Sequence, residues 1–182
     1  MTNAVRGRWI RSVLIGITVV ATVGVAFAIG AFAVGPNLAK SAGGYIPTAV
    51  LNMPLGLLSV TDQDGNSITL QVRIAETPEA RRAGLANVGV KALDATMLLY
   101  AQPKITTGRV TYTLGGIRSP LELAVIGELG DIVAIKRVEA NAKSIVIAEK
   151  HRYVIAAKEG ILGKLGVMKG ASVSPTNMRR TT

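Results

Sequence analysis

The chain has 182 residues, no cysteine, one histidine and 49% hydrophobic residues, which leaves room for one membrane anchor and one compact domain but not for two full domains. The absence of Cys excludes disulfide frameworks, thiol nucleophiles, thiolate zinc sites and iron–sulfur clusters. The 21 Lys and Arg against 11 Asp and Glu give a formal charge of +10. Arg6, Arg8, Arg11 and Lys40 precede every acid, leaving 17 bases against 11 acids beyond them. Those bases are scattered singly or in pairs and aromatics are only 4%. A nucleic-acid reader needs a clustered basic face or stacking aromatics, so nucleic acid is not an expected partner.

Residues 1–12 are basic, and Val13–Val34 carries no charge, its only polar side chains being Thr18 and Thr22. At about 1.5 Å per residue the apolar run spans about 33 Å, enough to cross a hydrocarbon core of about 30 Å. The pattern predicts a single transmembrane helix over 13–34. The three N-terminal arginines place residues 1–12 in the cytoplasm and the remainder outside, which in a diderm bacterium is the periplasm. A cleavable signal peptide is the rival reading, because Ala26-Phe27-Ala28 and Ala31-Phe32-Ala33 resemble small-residue cleavage sites. The apolar run is longer than such a segment needs. Ala21, Gly24, Ala28, Ala31 and Gly35 recur at spacings of three and four, which lines small residues on one helix face, where a second helix in lipid can approach closely.

The segment 35–56 holds three prolines and scattered apolar residues, including Tyr45 and Ile46. It is expected to be a linker or a strap, docked on a partner, on the membrane or on the chain's own domain. Residues 57–174 are expected to form an exported β-rich domain, and 175–182 a polar tail. Leu57–Val60 and Ile68–Ile74 read as two strands about an Asp62-Gln63-Asp64-Gly65-Asn66 turn, with strict alternation in the second. The Asp pair does not make a calcium loop, since Gly falls at the fourth position and Arg73 stands where a bidentate Glu is required.

Thr77-Pro78-Glu79 signals a helix start, with a capping hydroxyl, Pro at the first helical position and an acid at the positive end; Gly84 ends it after about two turns. Further strands are expected at Met97–Tyr100, Ile105–Leu114, Leu121–Ile126, Ile132–Val138, Ser144–Ala148 and Tyr153–Ala157. Gln102-Pro103, Gly115-Gly116, Gly127–Asp131 and Asn141 separate them. Leu121–Ile126 and Ile145–Ala148 are apolar on both faces, which requires cover on both sides from a closed barrel or a partner. Glu159–Val167 is expected to be a short helix despite three glycines.

Four blocks carry a resemblance. Thr77-Pro78-Glu79-Ala80-Arg81-Arg82-Ala83-Gly84-Leu85, Met97-Leu98-Leu99-Tyr100, Pro120-Leu121-Glu122-Leu123-Ala124-Val125-Ile126 and Tyr153-Val154-Ile155 with Gly160 resemble, in order and spacing over about Ser67–Val173, the bacterial domain of unknown function 192 family. The resemblance implies an α+β fold: a small, strongly bent, barrel-like sheet with one or two short helices, commonly exported. The family usually carries an aromatic, Met, Lys, Asn and Thr in succession before the Pro-Leu block and an Asp just inside it. Here those places hold Thr113, Leu114, Gly115, Gly116, Ile117 and Glu122. The polar cluster is largely gone, which implies a scaffold without an activity there.

Tests for chemistry end the same way. His151, between Lys150 and Arg152, is expected to be a solvated loop residue. There is no Gly-x-Ser-x-Gly elbow, and the Gly-rich Gly160–Gly170 fails as a phosphate loop because Lys158 and Leu165 stand at its defining positions. Glu122/Glu128 and Glu76/Glu79 are more simply ion-pair partners than acid–base couples. The expectation is a non-catalytic, membrane-anchored accessory or scaffolding subunit of a bacterial membrane complex, respiratory or photosynthetic, with no cofactor, metal or small-molecule substrate. Its partners would be other subunits and membrane lipid, met through Tyr45, Ile46, Arg109, Arg118, Lys136 and Arg137. The alternative is a membrane-tethered periplasmic binding module for an anionic small ligand or glycan, using the same bases, and the third is a remnant enzyme centred on Glu122.

Overall fold

The structure, a computed structural model, describes residues 44–175. The expected membrane helix with its small-residue face at Ala21, Gly24, Ala28, Ala31 and Gly35 lies outside the described residues, as does the tail beyond Pro175. Among the described residues no helix is long and apolar enough to cross a membrane.

The chain enters through α1 (Thr48–Leu51), then β1 (Leu55–Thr61), β2 (Ser67–Ala75), α2 (Pro78–Ala83) and a 3-10 turn at Ala92–Asp94. It continues through β3 (Leu98–Thr106), β4 (Val110–Thr113), β5 (Leu121–Ile126), β6 (Ile132–Val138), β7 (Ser144–Ile147), β8 (His151–Lys158), α3 (Ile161–Lys164) and β9 (Ser172–Pro175). Seven strands form one sheet in the order β6-β5-β8-β3-β2-β1-β9, and β4 pairs with β7 in a separate ribbon. Only β2 and β3 run parallel, and their connection carries α2 and the 3-10 turn, as a parallel crossover requires. The sheet is strongly curled but not closed. One corner is stitched to the far end: Ile132 N–H donates to the Ala171 carbonyl at 2.8 Å and Val173 N–H to the Gly130 carbonyl at 2.7 Å.

The two faces of this sheet bury two separate cores. Leu58, Val60, Leu70, Val72, Leu99, Ala124, Ile126, Ile132 and Ile155 meet Leu162 and Val167 in one cluster. It draws side chains from β1 and β6, near opposite ends of the strand order, so it fills the concave face. Leu98, Tyr100, Leu121, Leu123, Val125, Val154 and Ala156 point the other way. They are covered by Val50 and Met53, by Leu85, Val88 and Leu93, and by Tyr112, Leu114 and Ile147. Leu121–Ile126 is therefore covered on both faces by the chain itself, whereas Ile145–Ala148 is not: Val146 is 40% exposed and Ala148 is exposed, so only the face of Ile147 is buried, because a two-stranded ribbon lies on the core with one side outward. Each large side chain in such a core typically contributes about 2–5 kcal/mol against truncation to Ala.

The segment before β1 belongs to this cover. Val50 and Met53 are buried and Ile46 packs against the same cluster. The Arg73 guanidinium donates to the carbonyls of Leu51 and Met53 at 2.7 and 3.1 Å. Of the three dockings open to the strap, residues 46–53 take the chain's own domain.

Several boundaries differ from the sequence expectation. β3 runs through Pro103 instead of stopping there, because its pairing with β8 is interrupted between Ala101 and Thr106, so the missing Pro N–H breaks no ladder bond. The expected strand Ile105–Leu114 is divided between β3 and β4 by a turn. The expected helix Glu159–Val167 shrinks to Ile161–Lys164, since Gly160 and Gly166 adopt φ of 80° and 70°, outside helical space. The Asp62 turn is a hairpin: its carboxylate accepts from Asp64 N–H, Asn66 N–H and the Asn66 amide at 2.9, 2.8 and 3.0 Å. These bonds, the Asn66 side chain first, hold the Asp62 carboxyl below its ordinary pKa.

Thr77 Oγ1 accepts from Ala80 N–H at 3.1 Å and Gly84 ends α2 at φ 50°, ψ −137°. A side chain at Gly84 would collide with the Tyr100 hydroxyl, in a backbone region that costs other residues about 1–3 kcal/mol. Gly84→Ala is expected to lower unfolding free energy by about 2 kcal/mol or more in urea, while Gly115→Ala, with nothing within 4 Å, changes it by a few tenths. Equal effects would refute the close packing of α2 on β3.

Candidate functional site

His151 is not a solvated loop residue: it is 0% exposed at the start of β8. Strict alternation would set it on the face of Tyr153 and Ile155. Where the β3–β8 pairing is irregular, its ring instead meets Tyr112, 5.8 Å between centroids. His151 Nδ1 lies 2.6 Å from the Glu149 carbonyl oxygen, which can only accept, so Nδ1 carries the proton. Nε2 lies 2.7 Å from Tyr112 Oη, a hydroxyl that can either donate or accept. Gln102 Nε2 donates to the same hydroxyl at 3.0 Å. Thr106 Oγ1 completes the set, donating to the His151 carbonyl at 3.0 Å and accepting from its N–H at 3.2 Å. Every polar group of the imidazole is occupied by protein, which makes it a structural pin between β3, β4 and β8.

Two phenols extend this polar seam into the core. Tyr112 packs edge-on to Tyr100 at 5.2 Å. Burial pushes the Tyr100 hydroxyl well above its ordinary pKa, and Tyr112 also, against the opposing hydrogen bond from Gln102. Tyr100 Oη has no hydrogen-bond partner of normal geometry among the described residues.

The segment between β4 and β5 holds the positions where the resemblance leads one to expect polar groups. Leu114 and Ile117 are buried in the convex-face core, each 1% exposed. Gly115 and Gly116 form an exposed turn between them, Gly116 at φ 82°. Backbone bonds fix the segment: Leu114 N–H to the Lys143 carbonyl at 2.9 Å, Asn141 N–H to Ile117 at 2.8 Å, and Asn87 N–H to Gly116 at 3.2 Å. Glu122 sits across from Arg137 on β6 and Ala157 on β8. Its Oε2 is buried without a partner among the described residues. Among the described residues no three His, Asp or Glu gather closely enough to hold a metal ion.

The family profile for the domain of unknown function 192, described as an uncharacterised ACR, matches residues 59–175, more than half of the chain. The chain belongs to this family. No curated protein matches its sequence. Two solved structures share the fold. One is a candidate transcription regulator from Sinorhizobium meliloti 1021, 21% identical, with a TM-score of 0.60 over 68% of this chain and 95% of that one. The other is a protein of unknown function from Novosphingobium aromaticivorans DSM 12444, 18% identical, with a TM-score of 0.53 over 72% of this chain and 99% of that one.

Within this family member the sequence-chosen surface residues scatter. Lys136 is paired with Glu149 at 2.5 Å, and Arg137 with Glu159 at 2.6 Å and Glu139 at 3.5 Å. The Lys136 hydrogen bond is the first cause holding the Glu149 carboxyl below its ordinary pKa. Arg109 is exposed in the β3–β4 turn, and Arg118 is exposed ahead of β5. Tyr45 is 68% exposed and Ile46 faces the core. Gly89 N–H donates to the Tyr45 carbonyl at 2.7 Å, which sets Tyr45 beside Val90, itself 43% exposed. Asn87, in the same loop, bonds to Gly116, two residues from Arg118. Tyr45, Val90 and Arg118 thus rim one loop cluster, to which Lys136, Arg137 and Arg109 are not joined by any such bond.

Sequence reasoning missed the partners of His151. The one signal was that His151-Arg152 directly precedes a long apolar strand, which a two-residue extension of that strand would have captured. Nitrogen-resolved NMR is expected to show a proton on His151 Nδ1, and a ring protonated at Nε2 alone would contradict the assignment. Tyr112→Phe, by orphaning Nε2, is expected to cost about 1–3 kcal/mol. Because the folded phenols hold their protons above pH 10 while unfolded ones release them, stability falls as pH rises past 10. Tyr112→Phe makes that alkaline limb shallower in urea titrations.

Proposed function

We propose that the protein is a single-pass, membrane-anchored accessory subunit of a bacterial membrane complex, whose exported domain holds neighbouring subunits and catalyses nothing. In this reading residues 1–12 are cytoplasmic and 13–34 span the inner membrane. The periplasmic body begins at the packed segment near Ile46, earlier than position 57. The single observation that carries the reading is that two of the positions where the resemblance implies polar groups are core here. Leu114 and Ile117 are buried apolar side chains, and the turn between them is glycine. A site for acid–base or nucleophilic chemistry needs polar groups within hydrogen-bond reach of a substrate. Here the one imidazole is satisfied on both nitrogens by the protein.

The domain does not require a partner to fold, since both faces of β5 and β8 are internally covered and the strands with one open face, β1 and β2, present polar side chains there. Contact with other subunits is therefore assigned to the rim of Tyr45, Val90 and Arg118, exposed apolar and cationic residues on loops that backbone hydrogen bonds tie together. Such a combination suits the apolar centre and polar margin of a protein interface. The membrane helix supplies the second attachment, its small-residue face closing on a neighbouring helix.

The experiment is gentle solubilisation of the tagged full-length protein from its native membrane. The wild type is expected to migrate with partner subunits, and Gly24→Leu with Ala28→Leu is expected to release it while leaving it in the membrane. Wild-type protein that migrates alone would overturn the reading.

A further inference from the structure

The concave core opens at one end into a pocket of about 310 Å³. Leu58, Leu99 and Ile126, from three different strands, form its apolar floor, and the β5–β6 turn and Pro175 form its walls. Leu129 stands at its edge, 93% exposed. Arg152 lies in the same wall with its guanidinium 5.4 Å from the ring centre of Tyr153. This arginine is unlike the other cations around it. Its Nε is buried, and among the described residues it has no hydrogen-bond partner and joins no ion pair. The acid in the pocket wall, Glu128, is already bonded to Lys150 at 2.7 Å.

A buried N–H without an acceptor is unfavourable, and a guanidinium presents its donors in a planar fork that fits a carboxylate. We propose that this pocket binds a small carboxylate with an apolar body, the head group paired with Arg152 and the body on Leu58, Leu99 and Ile126. A single cation beside a mostly apolar floor suits a monoanion better than a phosphate. The volume, at the lower end of ligand sites of about 300–1,000 Å³, accommodates a body the size of a benzene ring or a short alkyl chain. This site is distinct from the bases of the Tyr45 rim, and it stands whether or not the membrane assignment holds.

The test is titration of the full-length protein with benzoate, followed by saturation-transfer NMR and by melting temperature. Benzoate is expected to bind saturably in the millimolar range and to raise the melting temperature, while benzylamine, the same shape with a cationic head, does neither. Arg152→Gln is expected to weaken benzoate at least tenfold, and Arg152→Lys to retain part of the affinity. Ser174→Trp, at the exposed rim of the pocket, blocks binding without removing any core side chain and serves if Arg152→Gln does not fold. No saturable benzoate signal, equal binding of benzylamine, or unchanged affinity in folded Arg152→Gln or Ser174→Trp would each overturn the proposal.

Discussion

Everything in this domain depends on a seven-stranded sheet whose strands β5 and β8 and the start of β3 are apolar on both faces. A curled sheet can bury its concave face against itself, and β1, β2, β5 and β6 do so around Leu58, Leu70, Ile126 and Ile132. Its convex face cannot be buried that way. The chain solves this by returning three times: the segment around Val50 and Met53, the loop through Leu85, Val88 and Leu93, and the ribbon of β4 and β7. The polar cost of laying a ribbon across a core is met by His151, which bonds Tyr112, Thr106 and the Glu149 carbonyl together, while Gln102 donates to the same Tyr112 hydroxyl. A residue of catalytic type is here a means of joining strands.

That arrangement bears on function. In a family whose resemblance implies a polar cluster before β5, this chain has Leu114 and Ile117 turned inward and an exposed glycine turn. What remains available at the surface is an apolar and basic rim, and in the mouth of the concave core a half-buried arginine that joins no ion pair among the described residues and whose Nε is buried without an acceptor. The first suits a protein neighbour and the second a small acid. The two sites lie on different loops, so one need not compete with the other.

Much of the fold was legible because local signals agreed with tertiary demands. Leu121–Ile126 and Ile132–Val138 begin and end where their apolar runs do, and Thr77, Pro78 and Gly84 mark α2 at both ends. What was not legible arose from pairing. β3 crosses Pro103 because its ladder is broken there, and no local rule announces that. β9 has four residues and an exposed pattern, and it becomes a strand only because β1 and the Gly130–Ile132 corner offer partners. His151 was misplaced for the same reason, since two cationic neighbours suggest solvent while the irregular pairing turns the ring inward. Arg152 gave no sign at all in sequence, because an unpaired cation is recognised only by what surrounds it.

The account rests on contact with neighbours through the Tyr45 rim and not through the open, polar face of β2. Photo-cross-linking of the full-length protein in its native membrane, with a benzophenone side chain placed at Tyr45 or at Thr69, tests this directly. Thr69 is exposed on β2, opposite Ser59. The account predicts discrete adducts with another membrane subunit from position 45 and none from position 69. No adduct from position 45, or the same adducts from both, would contradict it.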